Sequence, residues 1–184
     1  MKRANRDNDL TIMAFDPSLT GWGWVVVKID GTVLSSGIIK TEPENKVRRI
    51  RKGDDDVRRI YEINHILLRR IRRHRVNYLI SELPHGSQSS SAAKMIGMTS
   101  AIAQTLAQTL DLPIEWYSEG DSKQALLGKT TATKQETIDT IDRLYDFNWT
   151  GVKYKDEAAA DAMSIFHTAL QHSPFLKFYK NQNK

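Results

Sequence analysis

The 184-residue chain contains no cysteine, which excludes disulfides, thiolate zinc sites and cysteine nucleophiles. Long hydrophobic runs are also missing, because no apolar stretch approaches the roughly 20 residues that a membrane-spanning helix requires. The first nine residues, MKRANRDND, are polar and carry no apolar core of the kind found in signal peptides. We therefore predict a flexible leader over residues 1–9 and a cytoplasmic protein that does not bind a membrane.

Acidic residues are too few to balance the basic ones: 27 Lys and Arg stand against 22 Asp and Glu, and the pI is about 9.4. The imbalance is strongest between Lys46 and Arg75, where arginines prevail. A planar guanidinium can bind two phosphate oxygens at once, so the pattern favours a polyanionic partner, most simply nucleic acid. The alternative is a solvated surface helix. We predict DNA contacts at Arg48, Arg49 and Arg51.

Apolar runs and turn signals predict one α/β domain over residues 10–172 and a basic, mobile tail over 173–184. Strands at about 10–15, 22–29 and 32–39 should form an antiparallel meander, since the hairpin signal Asp30-Gly31 joins the last two. Short apolar runs predict further strands at 78–80 and 114–117. The crossover to the first of these is helical, which favours parallel pairing. The expected fold class is therefore a mixed five-stranded sheet flanked by helices.

Helical periodicity predicts helices at about 54–74, 92–110, 134–145 and 156–171, and residues 120–133 are predicted as a loop. The helix at 54–74 carries an apolar stripe that we expect in the core. Its members are Val57, Ile60, Ile63, Ile66, Leu67 and Ile71. Trp22 and Trp24 are expected to pack inside the protein, and Glu119 and Asp121 to do no more than cap a loop.

Carboxylates stand where buried strands end. Asp16 ends the first strand and Glu82 follows the strand at 78–80, and a carboxylate buried there is costly unless something compensates its charge. Glu157 and Asp161 share one face of the last predicted helix. An all-oxygen set of ligands is what Mg²⁺ or Mn²⁺ prefers, and two such ions would serve phosphodiester hydrolysis. The alternative for Asp16 is that it caps the turn behind it by accepting a backbone amide.

Four segments carry a family resemblance when taken together: FDPSLTGWGWVVV, LISELP, YSEGDSKQALLGKTTATKQETI and AAADAMSI. In their order and spacing they resemble the RuvC-type Holliday junction resolvases of the RNase H-like superfamily. The resemblance runs from about residue 11 to about residue 172. It implies an RNase H-like fold and an endonuclease that resolves four-way DNA junctions, with other branched DNA as further substrates, by paired nicks. It also implies a homodimer, for which the apolar helix at 92–110 is the candidate interface.

The resemblance implies metal-binding roles for Asp16, Glu82 and Asp161, with two Mg²⁺ ions per site and Mn²⁺ as a substitute. The family's fourth acid falls on Ala158 of this chain. Glu157, one residue earlier, is therefore expected to replace it.

Further roles follow from the same resemblance. Asp156 is the reserve candidate for the fourth acid. Lys134 would stabilise negative charge at the scissile phosphate, and Lys123 would contact DNA. His85 is the nearest candidate for a residue that stacks on an opened junction.

Two other functions fit parts of the sequence. A non-catalytic domain of the same fold could bind branched nucleic acid, and DPSLTG also resembles the phosphate loop of actin-like ATPases. The extra basic segment at 46–52 and the basic tail suggest a phage or viral member of the family, acting in a bacterium or an infected host cell.

Overall fold

The computed structural model describes residues 10–87 and 89–182, so the predicted leader lies outside the described residues. The strands of its sheet are β1 (Thr11–Asp16), β2 (Gly21–Lys28), β3 (Val33–Lys40), β4 (Tyr78–Leu83) and β5 (Ile114–Ser118), in the order β3-β2-β1-β4-β5. β1 pairs antiparallel with β2, as β2 does with β3, whereas β1–β4 and β4–β5 are parallel. The predicted mixed sheet of five strands is confirmed.

The helices are α1 (Asn45–Arg48), α2 (Lys52–His74), α3 (Ser90–Thr109), α4 (Glu119–Leu127), α5 (Lys134–Leu144), α6 (Lys153–His172) and α7 (Pro174–Gln182). They include the four helices predicted from periodicity, and the other three are α1, α4 and α7. In the described part of the chain, no helix combines the length and the apolar character needed to cross a membrane.

The sheet is covered on both faces because alternate strand residues point in opposite directions. Ile12 and Ala14 of β1 pack with α6, whereas Met13 and Phe15 pack with α2 and α3. Trp22 and Trp24 lie on the α2–α3 side and are almost fully buried, which confirms their predicted packing role.

The apolar stripe of α2 is core in its second half and exposed at its start. Ile63, Leu67 and Ile71 are buried, as predicted, but Val57 is 60% exposed. Helical spacing places Val57 on the side of α2 towards α3, and whether such a residue is covered depends on how far the neighbouring helix reaches. The prediction that Val57 is a core residue is therefore wrong.

The loop predicted at 120–133 is also wrong, because most of it is α4. Ser118 and Asp121 form a capping box: the Ser118 Oγ accepts the Asp121 amide at 3.1 Å, and the Asp121 carboxylate accepts the Ser118 amide at 3.0 Å. Gly128, with φ of +70°, ends the helix in the left-handed conformation. The cap and the terminal glycine define this helix, since its apolar periodicity is weak.

The segment predicted as a mobile tail forms α7 as far as Gln182. Leu176 is 1% exposed, and the ring of Phe175 stacks on Tyr78 with 4.9 Å between centroids. The Ser173 hydroxyl, at the start of α7, donates to the carboxylate of Glu115 at 2.8 Å. The prediction of a mobile tail depended on the lysines of this segment. Its apolar residues instead pack α7 onto the sheet.

Candidate active site

Three of the predicted acids meet at one edge of the sheet. In the parallel pairing of β1 with β4, Phe15 lies opposite Ser81, so the next residues, Asp16 and Glu82, sit side by side at the carboxyl ends of their strands. Asp161 approaches from α6, which packs across β1 and β2. All three carboxylates line one cleft of about 200 Å³.

Burial and mutual repulsion make the charged form of these acids costly. Burial is the largest cause of the raised pKa of Asp16, about 7, and the nearby charge of Asp161 adds to it. Burial likewise raises the pKa of Glu82 to about 8, with the charge of Asp16 as the next cause. The pKa of Asp161 is raised by burial and held back by Lys134. A site of this kind favours a bound cation.

Lys134 and Lys123 supply the positive charge of the cleft. Lys134 is the first residue of α5, and its ammonium donates to the carboxylate of Asp161. Although burial opposes it, the charges of Asp161 and Asp16 raise the pKa of Lys134. Lys123 on α4 pairs with Glu119 at 2.5 Å. The structure thus brings both predicted lysines to the predicted acids.

Glu119 is the site residue that the sequence analysis missed. It is the first residue of α4 and lines the cleft with Asp16, Glu82 and Asp161. The signal that could have found it is the Ser118–Asp121 capping box directly after β5. That box starts a helix at the carboxyl end of a strand parallel to β4, which is where the site lies.

The candidates for the fourth acid lie outside the lining of the cleft. Glu157, one turn before Asp161, is 3.9 Å from the Lys153 ammonium. The carboxylate of Asp156 accepts the amide and the hydroxyl of Thr150 at 2.9 and 2.8 Å. Asp156 therefore anchors the loop before α6, and the structure corrects its placement as a reserve ligand.

The remaining predicted DNA contacts lie on exposed surfaces. His85 is exposed in the loop after β4. Arg48 and Arg49 are exposed in and just after α1, where Arg48 pairs with Glu44. Arg51 is exposed at the start of α2 and pairs with Asp54 at 2.7 Å.

Arg59 shows that part of the basic stretch is structural. It is buried and donates to the backbone oxygens of Leu19 and Thr41 at 3.2 and 3.3 Å, so it ties α2 to the turn behind Asp16. That turn is closed by Ser18, whose Oγ accepts the amide of Thr20 at 3.4 Å. The Asp16 carboxylate faces the cleft.

The donor set of the cleft suits a hard divalent cation, since carboxylate oxygens are the ligands that Mg²⁺ and Mn²⁺ prefer. Within residues 10–87 and 89–182, no three His, Asp or Glu side chains stand close enough together to hold a metal ion as they are placed here. Each lysine of the cleft engages one carboxylate: the ammonium of Lys134 pairs with Asp161, and that of Lys123 pairs with Glu119.

The sheet order and the acids at the ends of β1 and β4 and on α6 define an RNase H-like α/β protein. The chain belongs to the RuvC family, because the family model described as crossover junction endodeoxyribonuclease RuvC matches residues 12–169. This is a family of endonucleases.

Individual relatives agree with this assignment. The chain is 26% identical over 159 residues to the crossover junction endodeoxyribonuclease RuvC of Parvibaculum lavamentivorans, covering 85% of this chain and 83% of the relative. Identity to the enzyme of the same name from Gluconobacter oxydans is 23%, covering 85% and 87%.

Solved structures show the same fold. T. thermophilus RuvC in complex with Holliday junction substrate superposes with a TM-score of 0.71 at 20% identity, covering 95% of this chain and 96% of that one. The yeast mitochondrial Holliday junction resolvase Ydc2 gives a TM-score of 0.59 at 12% identity, covering 93% and 82%.

Proposed function

We propose that this protein is a metal-dependent endonuclease that resolves four-way DNA junctions by paired nicks. The observation that carries the proposal is the cleft itself, in which half-buried carboxylates from β1, β4 and α6 converge beside two lysines in a basic protein of the RuvC family. A structural neighbour bound to a Holliday junction supports junction DNA as the substrate.

Asp16, Glu82 and Asp161 would hold the divalent cations, which we propose to be two Mg²⁺ ions replaceable by Mn²⁺. When bound, such ions activate water and stabilise the leaving 3′ oxygen. The chain's own part is to fix the carboxylates at the sheet edge and to place Lys134 beside them. From there the ammonium of Lys134 would offset negative charge that develops on the scissile phosphate.

Substrate binding would extend beyond the cleft. We propose that Lys123 contacts a phosphate near the cut, that His85 stacks in the opened junction, and that Arg48, Arg49 and Arg51 hold a DNA arm. The exposure of these three arginines and of His85 supports this role. The salt bridges of Arg48 and Arg51 to acids would have to exchange for phosphate contacts.

Paired nicks on a symmetric junction need two sites, and we propose a homodimer. An apolar groove of about 450 Å³ between α2 and α3 supports a surface that includes the predicted helix. Its lining includes Val57, Tyr61, Met98 and Ala101, and the first two are 60% and 70% exposed. Exposed apolar residues gathered in one groove are typical of an interface between subunits.

The test uses a labelled synthetic four-way junction, a fork and a linear duplex of the same sequence, incubated with Mg²⁺. Asp16→Asn should abolish paired nicking of the junction while gel-shift binding persists. Asp139→Asn is the matched control, because Asp139 is exposed on α5 outside the cleft, and it should cut like the unaltered protein.

Other outcomes would change the conclusion. Binding without cutting in both Mg²⁺ and Mn²⁺ would indicate a non-catalytic junction-binding domain. Equal cutting of junction and duplex would retain the nuclease chemistry and refute the specificity for branched DNA.

A further inference from the structure

Position 158 of α6 faces the sheet. Ala158 is buried against Gly23 of β2: a Cβ added at Gly23 would overlap the Ala158 carbonyl oxygen and lie 3.3 Å from its Cβ. Position 158 therefore carries no carboxylate, and its methyl group packs on β2 and is not part of the cleft lining. A fourth carboxylate must come from elsewhere.

Glu157 is poorly placed to supply it. Ala158, the next residue in the chain, packs on β2, and the Glu157 side chain is 27% exposed, with its carboxylate 3.9 Å from the Lys153 ammonium. It is absent from the lining of the cleft, although its charge reaches Asp161 one turn further along α6.

Glu119, unlike Glu157, is placed to supply a fourth carboxylate to the cleft. It lines the cleft from the start of α4, where the Ser118–Asp121 capping box fixes the direction in which the helix leaves β5. Its side chain is 48% exposed, and its carboxylate pairs with Lys123, which lines the same cleft.

The charge of Glu119 acts on each of the three acids from β1, β4 and α6. Burial is the largest cause of the raised pKa values of Asp16, Glu82 and Asp161, and the charge of Glu119 adds to all three. The pKa of Glu119 itself is lowered, chiefly by the hydrogen bond from Lys123.

We propose that Glu119 is the fourth carboxylate of the divalent-cation site, in the role that the sequence suggests for Glu157. The inference rests on the proposed function, because it assigns a ligand to the same site. It also gives Lys123 a defined part. Its ammonium balances Glu119 in the metal-free protein, and it is released towards the DNA when a divalent cation takes that carboxylate.

The experiment measures Mn²⁺ binding to the full chain without DNA, by the loss of the free-ion electron paramagnetic resonance signal. Glu119→Gln should weaken Mn²⁺ affinity about 10- to 100-fold, whereas Glu157→Gln, the isosteric control, should change it by less than about threefold. Both positions are exposed enough to keep the fold, and thermal unfolding in EDTA checks this for each variant.

A second variant separates a metal ligand from a mere partner of Lys123. If Glu119 binds the ion, Lys123→Gln strengthens Mn²⁺ binding, since a competing cation is gone, and this gain disappears in Glu119→Gln/Lys123→Gln. If Glu119 serves only to pair Lys123, the single and double variants show the same gain.

Three results would overturn the inference: unchanged affinity in Glu119→Gln, a larger loss in Glu157→Gln, or no Mn²⁺ binding by the unaltered protein. Failure of the proposed function looks different. In that case Mn²⁺ binding depends on Glu119 as expected, yet the protein leaves four-way junctions uncut.

Discussion

Asp16 and Glu82 are neighbours at the ends of two parallel strands, and the charge of each raises the free energy needed to ionise the other. Their pKa values of about 7 and about 8 lie well above those of free carboxylic acids. The charge of Lys134 offsets part of this cost, and a divalent cation can offset the rest. We therefore expect the free energy of unfolding of the metal-free protein to fall as the pH rises.

We predict that the free energy of unfolding in EDTA falls as the pH rises from about 4 to about 8. Between these values the folded protein binds more protons at Asp16 and Glu82 than the unfolded chain, whose carboxyls titrate near 4, so the slope is negative. Asp16→Asn should flatten the curve and add on the order of 2 kcal/mol at about pH 8. Urea unfolding across this pH range provides the measurement.

Asp139→Asn is again the control, since this exposed carboxylate lies outside the cleft and should leave the slope unchanged. Saturating Mg²⁺ should remove the difference between pH values for the unaltered protein. A stability that rises with pH in EDTA would show that the cleft acids are not strained in the metal-free state.

At the scale of elements, the contact between α6 and β2 determines where Asp161 lies. Gly23 pairs with Asp16 across the β1–β2 ladder and also receives the backbone of Ala158. The missing Cβ lets α6 approach the sheet closely, and Asp161 follows one turn later. One glycine therefore links the carboxylate of β1 to that of α6.

Gly23→Ala should destabilise the fold by about 1–3 kcal/mol, because the new methyl overlaps the Ala158 carbonyl and pushes α6 away. The displacement should also weaken Mn²⁺ binding. Gly53→Ala on α2 is the control, since a Cβ there meets nothing within 4 Å and should stabilise the helix by about 0.5–1 kcal/mol. Urea unfolding measures both, and equal stabilities for the two variants would refute this account of the contact.

The docking of α7 is the second prediction at this scale. Leu176→Ala should lower the free energy of unfolding by about 2–4 kcal/mol, because Leu176 is buried beside the main core. Phe178→Ala on the same helix should cost under about 0.5 kcal/mol, since that ring is 64% exposed. If chemical denaturation shows no loss for Leu176→Ala, α7 contributes nothing to the stability of the domain.

At the scale of the whole molecule, the groove between α2 and α3 is the surface that we propose a second copy of the chain covers. Val57→Glu should convert the proposed dimer to a monomer, because a carboxylate in a closed apolar interface is strongly unfavourable. Val47→Glu is the matched control: Val47 is 86% exposed on α1, outside the groove. Sedimentation equilibrium distinguishes them, and a Val57→Glu protein that stays dimeric would place the interface elsewhere.

The sequence by itself determined the sheet and identified three carboxylates of the cleft, Asp16, Glu82 and Asp161. Alternating and continuous apolar runs set the strands, the Asp30-Gly31 turn set the meander, and a helical crossover forces β4 parallel to β1. Parallel neighbours end at the same edge, so Asp16 and Glu82 had to meet once the strands were identified. These inferences hold because each depends on local patterns or on pairing that those patterns dictate.

Only the tertiary structure decided which further acid faces the cleft, whether Val57 is covered and where residues 174–182 lie. Helical spacing places Glu157 and Asp161 on one face of α6, but the packing of Ala158 on Gly23 decides which part of that face turns to the site. Glu119 lines the cleft because the strand before it, β5, pairs with β4. In the chain, Glu119 is far from α6. Such contacts join residues that are distant in sequence. A local sequence pattern does not determine how the helix or strand packed against it is rotated or how far that element extends.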